Sequence, residues 1–221
     1  MKLLIEALMK FSCGLLLVGL LIFLPAGTLA YTYGWLLIGL LFGPMLIAGF
    51  LMLAKSPDLL KRRLDAKEKQ GPQKGVVALS GLMFIAGFVV AGLDFRFGWS
   101  TVPIWVILTA SVLFLIAYAL YAEVMRENAY LSRTIKVEAG QTVVDTGMYG
   151  IVRHPMYAVT ILLFLMIPLV LGSWYAFVAF AFYPAVIVVR PKDEEDLLTK
   201  ELPGYAEYKQ KVKYRIIPFI W

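Results

Sequence analysis

The sequence predicts an all-α fold: a polytopic integral membrane bundle of about six transmembrane helices, with five as the alternative count. Three observations carry this. Of 221 residues, 61% are hydrophobic and 16% charged, against about 45–50% and about 25% in soluble domains. Apolar runs of the length a bilayer demands, about 20 residues each, recur along the whole chain. The charges lie between these runs, not within them. The same figures exclude disorder and collagen-like repeats.

Four runs stand near 8–28, 33–54, 76–95 and 102–122. The stretch from Met156 to Val189 is too long for one span and is interrupted by Pro168 and Leu171-Gly172-Ser173. It predicts a helical hairpin with arms at roughly 156–170 and 174–189. Five spans result if the first stretch lies flat or the hairpin arms do not fully cross. A cleaved signal peptide ending near Ala30 fits less well, because the run is long and its removal leaves an odd span count. Pro44 and Pro184 fall inside spans, predicting kinks or a cavity lining. Gly39-x3-Gly43 and Gly87-x3-Ala91 have the small-residue spacing that lets membrane helices approach closely.

Orientation follows from the basic residues. The N-terminus carries Lys2 and Lys10, the connection Lys55–Lys74 seven basic residues, Glu123–His154 four, and Arg190–Trp221 seven. Only Arg96 falls in the remaining connections, so six alternating spans place 20 of 21 basic residues on one side. That asymmetry predicts both termini in the cytoplasm. Tyr31, Tyr33, Trp35, Phe97, Trp99, Trp105, Trp174 and Tyr175 fall at the basic-poor ends, as an interfacial belt would. The partition this predicts is residues 1–122 as four N-terminal spans with the loop 55–74, and 123–221 as a separate C-terminal region. The latter holds a cytoplasmic loop, the hairpin 155–190 and a short helical tail.

A net charge of +6 points to nucleic acid only when the charges share a soluble face; here the partner is the lipid bilayer. One cysteine and one histidine allow no internal disulfide and make a metal centre improbable on donor chemistry, so no metal is expected.

The polar chemistry concentrates in the last third. The third basic connection ends Gly147-Met-Tyr149-Gly-Ile-Val-Arg153-His154-Pro155-Met-Tyr157. Pro155 suits the first turn of a helix, where its missing N–H costs nothing. His154 then stands beside unpaired backbone N–H groups, a ready place for a carboxylate or phosphate; the plain alternative is that Arg153 and His154 face lipid headgroups. After the hairpin comes Arg190-Pro-Lys-Asp-Glu194-Glu195-Asp. Antiparallel arms bring Arg190 level with His154. The acidic run suits a helix start through the dipole; Glu194 and Glu195 with Arg190 equally suit ribose hydroxyls and an anionic group. In the tail, two short helices separated by Pro203-Gly204 are expected, with Tyr205, Tyr208 and Val212 forming a helical packing stripe.

Taken in order, Gly147-x-Tyr149-x3-Arg153-His154-Pro155-x-Tyr157, Arg190-x3-Glu194-Glu195 and Tyr205-x-Glu-Tyr208-Lys-x2-Val212 resemble the isoprenylcysteine carboxyl methyltransferase family, related to phospholipid methyltransferases. The resemblance covers roughly residues 123 to 221. It implies a membrane-embedded enzyme that uses S-adenosyl-L-methionine to methylate a lipophilic or prenylated acceptor at the cytoplasmic face. By the same resemblance, Gln141 to Val144 and Tyr149 belong to the cofactor pocket, with His154, Pro155 and Tyr157, and Glu194 is the acid that holds the cofactor. Arg190 is the catalytic residue that positions the acceptor; Arg153 and Glu195 are additional candidates. The family often has histidine where this chain has Gln141. No glycine-rich Rossmann loop is found, as expected for a cofactor held against helix ends.

A carboxylate acceptor needs no general base, so the chain has to position, desolvate and exclude water. An amine acceptor needs one, and Glu195 or Tyr157 is then the candidate. One rival is an NADPH-dependent sterol or enone reductase of membranes, which shares an Arg-His-Pro-x-Tyr region. The rival of another class, a transporter or non-catalytic membrane protein, predicts ionisable residues deep in the spans or no cofactor site at all.

Overall fold

The computed structural model describes residues 2–64, 71–131, 137 and 140–221, with backbone only for 71–73. Four helices come first: α1 (Lys2–Ala26), α2 (Thr32–Lys55), the short α3 (Pro57–Leu64) and α4 (Gly71–Phe97). They are followed by α5 (Ile104–Glu127), a 3-10 turn at Gly147–Gly150, and α6 (Pro155–Val170). The second hairpin arm is divided into α7 (Trp174–Ala181), α8 (Tyr183–Ile187) and α9 (Val189–Glu201), and α10 (Tyr205–Lys211) lies in the tail. Among the described residues there is no strand, only an isolated parallel bridge between Val152 and Tyr214. The fold is the polytopic helical membrane bundle expected.

Among the described residues, five stretches are long and apolar enough to cross a membrane: α1, α2, Lys74–Phe97 of α4, α5 and Trp174–Glu201. The first hairpin arm, α6, has only 16 residues, about 24 Å of helix at about 1.5 Å per residue, short of a bilayer core of about 30 Å. The fifth predicted span, the arm at 156–170, is therefore the short one. The second arm bends at Phe182, just before Pro184, because proline cannot complete a mid-helix hydrogen bond. Pro44 sits inside an unbroken α2.

Close approach occurs at glycines, though only partly where the spacing predicted it. A Cβ on Gly92 would stand 2.5 Å from the Ile22 carbonyl, so α1 and α4 touch backbone to backbone. A Cβ on Gly87 would meet the Phe180 ring at 2.3 Å. Gly39 and Gly43, by contrast, would meet nothing within 4 Å, so that pair makes no close approach among the described residues.

The basic-poor end is locked by one buried acid. Asp94, 1% exposed, accepts from the Ser100 amide at 2.7 Å, the Ser100 hydroxyl at 2.6 Å and the Ser173 hydroxyl. Ser173 also caps α7 by accepting from the Ala176 amide at 3.0 Å. One carboxylate thus ties the end of α4 to the hairpin turn, at the end where Phe97 stacks on Trp99 and Trp99 meets Tyr175 edge to face. Tyr31 corrects the interfacial-belt expectation. Its ring is 1% exposed, stacks on Phe95 with centroids 4.2 Å apart and donates to the Leu171 carbonyl at 2.5 Å. The hairpin turn offers that unpaired carbonyl, and meeting it draws the ring out of the interface.

The opposite end gathers the long connections. Lys10 donates to the Leu64 carbonyl at 2.8 Å, and Arg62 to the Ala129 carbonyl at 2.8 Å. Of the basic residues used for orientation, Lys67, Lys69, Arg133 and Lys136 lie outside the described residues.

Candidate functional site

The site is assembled where α6 begins. His154 is the N-cap of α6 and Pro155 its first residue, as the motif predicts. The tail returns beside this start: the Arg153 amide donates to the Tyr214 carbonyl at 2.9 Å and the His154 amide to the Arg215 carbonyl at 2.8 Å. Residues 61 positions away in the chain therefore hold the histidine in place. The connection before it is built around Gly147, whose φ of +51° and lack of a side chain are both required. A Cβ there would overlap the Glu127 carboxylate, which accepts from the Met148 amide at 3.1 Å.

Two neighbouring acids point in different directions. Glu195, 1% exposed, accepts from Arg153 Nε at 2.7 Å and Arg215 Nε at 3.1 Å. It also lies 3.4 Å from Lys209 Nζ and 3.3 Å from His154 Nε2. Arg153 in turn donates to the carbonyls of Val212 at 2.6 Å and Lys213 at 2.8 Å. Glu194 turns the other way. It accepts from the Tyr157 hydroxyl at 2.8 Å and lies 3.6 Å from His154 Nδ1, with its side chain 28% exposed. Arg190 acts on the same Tyr157 hydroxyl, so Tyr157 stands between the arginine and the acid.

These groups open onto a cavity of about 480 Å³, within the range of about 300–1,000 Å³ for small-molecule sites. Its polar end is formed by Tyr149, Arg153, His154, Tyr157, Arg190 and Glu194, with Asn128, Gln141 and the tyrosines of α10. Its other end is an apolar arm between α4, α6 and α8, walled by Val76, Val77, Phe84, Phe164, Tyr183 and Ile187. Burial raises the hydroxyl pKa of Tyr149, Tyr205 and Tyr208 well above the ordinary value, which keeps all three neutral. The Tyr149 hydroxyl accepts from Asn128 at 3.1 Å, and Tyr208 donates to the Tyr149 carbonyl at 2.7 Å. The Tyr205 hydroxyl is buried with no partner among the described residues.

Of the residues singled out from sequence, Gln141, Val144, Tyr149, Arg153, His154, Tyr157, Arg190 and Glu194 line this one cavity. Pro155 does not; with Ala158 and Leu162 it lines a separate apolar depression on the far face of α6. Glu195 does not line the cavity either; its carboxylate is taken up by Arg153, Arg215, Lys209 and His154. Successive helical residues turn by about 100°, so when Glu194 faces the cavity Glu195 faces the tail. Asn128, Thr160 and the wall of α4 were missed, because nothing in their local sequence separates them from ordinary span residues. The packing expected of Tyr205 and Tyr208 is present against Leu202 and Val212, and both line the cavity as well.

Comparison with known proteins bears on this same segment. Residues 105–200 match the isoprenylcysteine carboxyl methyltransferase (ICMT) family. The resemblance read from the motifs is thereby shown from α5 to α9, and the match is to a family of membrane methyltransferases. A curated relative is the Delta(14)-sterol reductase TM7SF2 of Mus musculus, 31% identical over 91 residues. That similarity spans 40% of this chain and 22% of the relative, so the chain covers about a fifth of that protein's length.

Proposed function

We propose that this protein transfers a methyl group from S-adenosyl-L-methionine to a lipophilic acceptor at the cytoplasmic face of a membrane, most like carboxyl O-methylation of an isoprenylcysteine. One observation carries the reading: a single cavity joins a polar end, where an acid, an arginine and a histidine converge, to an apolar arm inside the bundle. The partition between residues 1–122 and a catalytic region 123–221 belongs to the same proposal, modified by the α4 side chains that wall the arm.

The residues present fit the cofactor. Glu194 offers a carboxylate to ribose hydroxyls and to a positive centre, and the unpartnered Tyr205 hydroxyl awaits an acceptor atom. Gln141, Val144, Tyr149 and His154 complete the holding set. When bound, the cofactor supplies an activated methyl group on a sulfonium.

The chain's part is positional. Tyr157 donates to Glu194 and stands beside Arg190, placing the acid and the arginine at one point of the cavity. Arg190 orients the anionic head of the acceptor, a contact its planar fork can make with two hydrogen bonds. A carboxylate acceptor brings its own nucleophilic oxygen, so no proton has to be removed. The apolar arm takes the acceptor's lipophilic part and keeps water from the reacting head.

Titration of the purified protein in detergent with S-adenosylhomocysteine tests this, followed by a methylation assay on a lipid extract with labelled methyl donor. Saturable binding and a labelled lipid product are expected. The sterol reductase relative motivates a second reading, a nicotinamide-dependent reductase of a lipophilic enone. Binding of NADPH without S-adenosylhomocysteine would establish that reading and end the first.

A further inference from the structure

The apolar arm of the cavity ends at one level on all three helices that form it, and on each the last lining residue is aromatic. On α4 the lining stripe runs through Val76, Ser80 and Phe84 and stops; the next residue on the stripe, Phe88, is 4% exposed and lies outside the cavity. On α6 it runs through Tyr157 and Thr160 to Phe164, and Ile167 beyond it is sealed in the core. On the second arm it ends at Tyr183, with Phe180 fully buried behind.

The three rings close on one another. Phe84 and Phe164 meet edge to face with centroids 4.6 Å apart, and Phe164 and Tyr183 at 4.7 Å. A second layer backs them: Phe180 lies 5.4 Å from Phe84 and 6.0 Å from Phe88. Edge-to-face packing with a second aromatic layer behind resists opening more than a lone side chain would.

We infer that Phe84, Phe164 and Tyr183 form a depth stop that selects the acceptor by the length of its buried apolar chain. The inference rests on the reading of this cavity as the acceptor's. From Tyr157, beside the reacting head, to Phe164 is seven residues of α6, about 10 Å of helix. An extended chain advances about 1.25 Å per bond, from a C–C length of about 1.5 Å, so the arm holds about eight carbons. A longer chain meets the rings and has to fold back within the arm.

The test is a series of N-acetyl-S-(n-alkyl)-cysteines with chains from about four to about sixteen carbons, measured both for binding and for methylation on the purified full chain. Affinity rises about fourfold per methylene while each added carbon is buried, then breaks to a flat or falling limb near about eight carbons. Phe84→Ala and Phe164→Ala move the break outward, by about four carbons if the freed space reaches Phe88 and Phe180 one helical turn below. Ser80→Leu, which adds bulk one turn nearer the head, moves it inward and guards against an alanine variant that fails to fold. A break that stays put in Ser80→Leu and in a folded alanine variant overturns the inference, as does a series with no break. The series also separates the two proposals: binding with a movable break but no methylation leaves the depth stop standing and removes the methyltransferase. Failure of every member to bind overturns both.

Discussion

Glu195→Ala removes a carboxylate that three cationic side chains and the imidazole of His154 share, and its cost can be worked from burial. The Arg153–Glu195 pair is nearly sealed, with side chains 6% and 1% exposed, so removing one partner leaves an uncompensated buried guanidinium. Breaking a buried pair in this way costs about 3–5 kcal/mol. Arg215 and Lys209 are 25% and 38% exposed; solvent screens them, and each adds at most about 1 kcal/mol. For a chain of this size about 1 kcal/mol corresponds to about 2–4 °C. The total is about 3–7 kcal/mol, and the expected fall in melting temperature in detergent is therefore about 6–28 °C. Because Arg153 also holds the Val212 and Lys213 carbonyls, the loss should be felt first in the tail, as faster tryptic cleavage at Lys213 and Arg215. The double variant Arg153→Ala/Glu195→Ala should be less damaged than the sum of the singles, since it strands no charge. An alanine variant melting within about 2 °C of the parent with a protected tail, or a strictly additive double variant, would refute the argument.

Other outcomes follow from single contacts. Tyr157→Phe removes the donor to Glu194 and should weaken S-adenosylhomocysteine binding roughly 10-fold or more, as for a hydrogen bond to a charged group; calorimetric titration checks it. Tyr205→Phe should weaken the same ligand by about 2- to 10-fold without lowering the melting temperature of the ligand-free protein, because the hydroxyl has no partner among the described residues to lose. Gly92→Ala drives a Cβ against the Ile22 carbonyl and should destabilise by about 1–3 kcal/mol, read as a lower melting temperature. Burial raises the Tyr149 and Tyr208 hydroxyls above their unfolded value. Their contribution is complete below about pH 10 and is lost as pH rises from there through the folded values, so melting temperature should show no step from these groups between neutrality and about pH 10.

The sequence alone was enough for the bundle, because lipid leaves little choice: backbone polar groups must be satisfied within helices, and apolar runs of span length have no other use. The start of α6 was equally legible. Pro155 without its N–H suits only a helix's first turn, and a tight hairpin must bring Arg190 back to the same end. What the sequence could not decide was rotation. Glu194 and Glu195 are adjacent and chemically alike, and only the phase of α9, set by packing against α4, α8 and α10, sends one into the cavity and the other into the tail's ion cluster. The same holds for Tyr31, drawn into the core by the Leu171 carbonyl, and for Phe84, one aromatic among many in a lipid-facing run. Hydropathy records how much apolar surface a residue carries. Which neighbour that surface meets depends on helices that are distant in the chain, and that information exists only once they have packed.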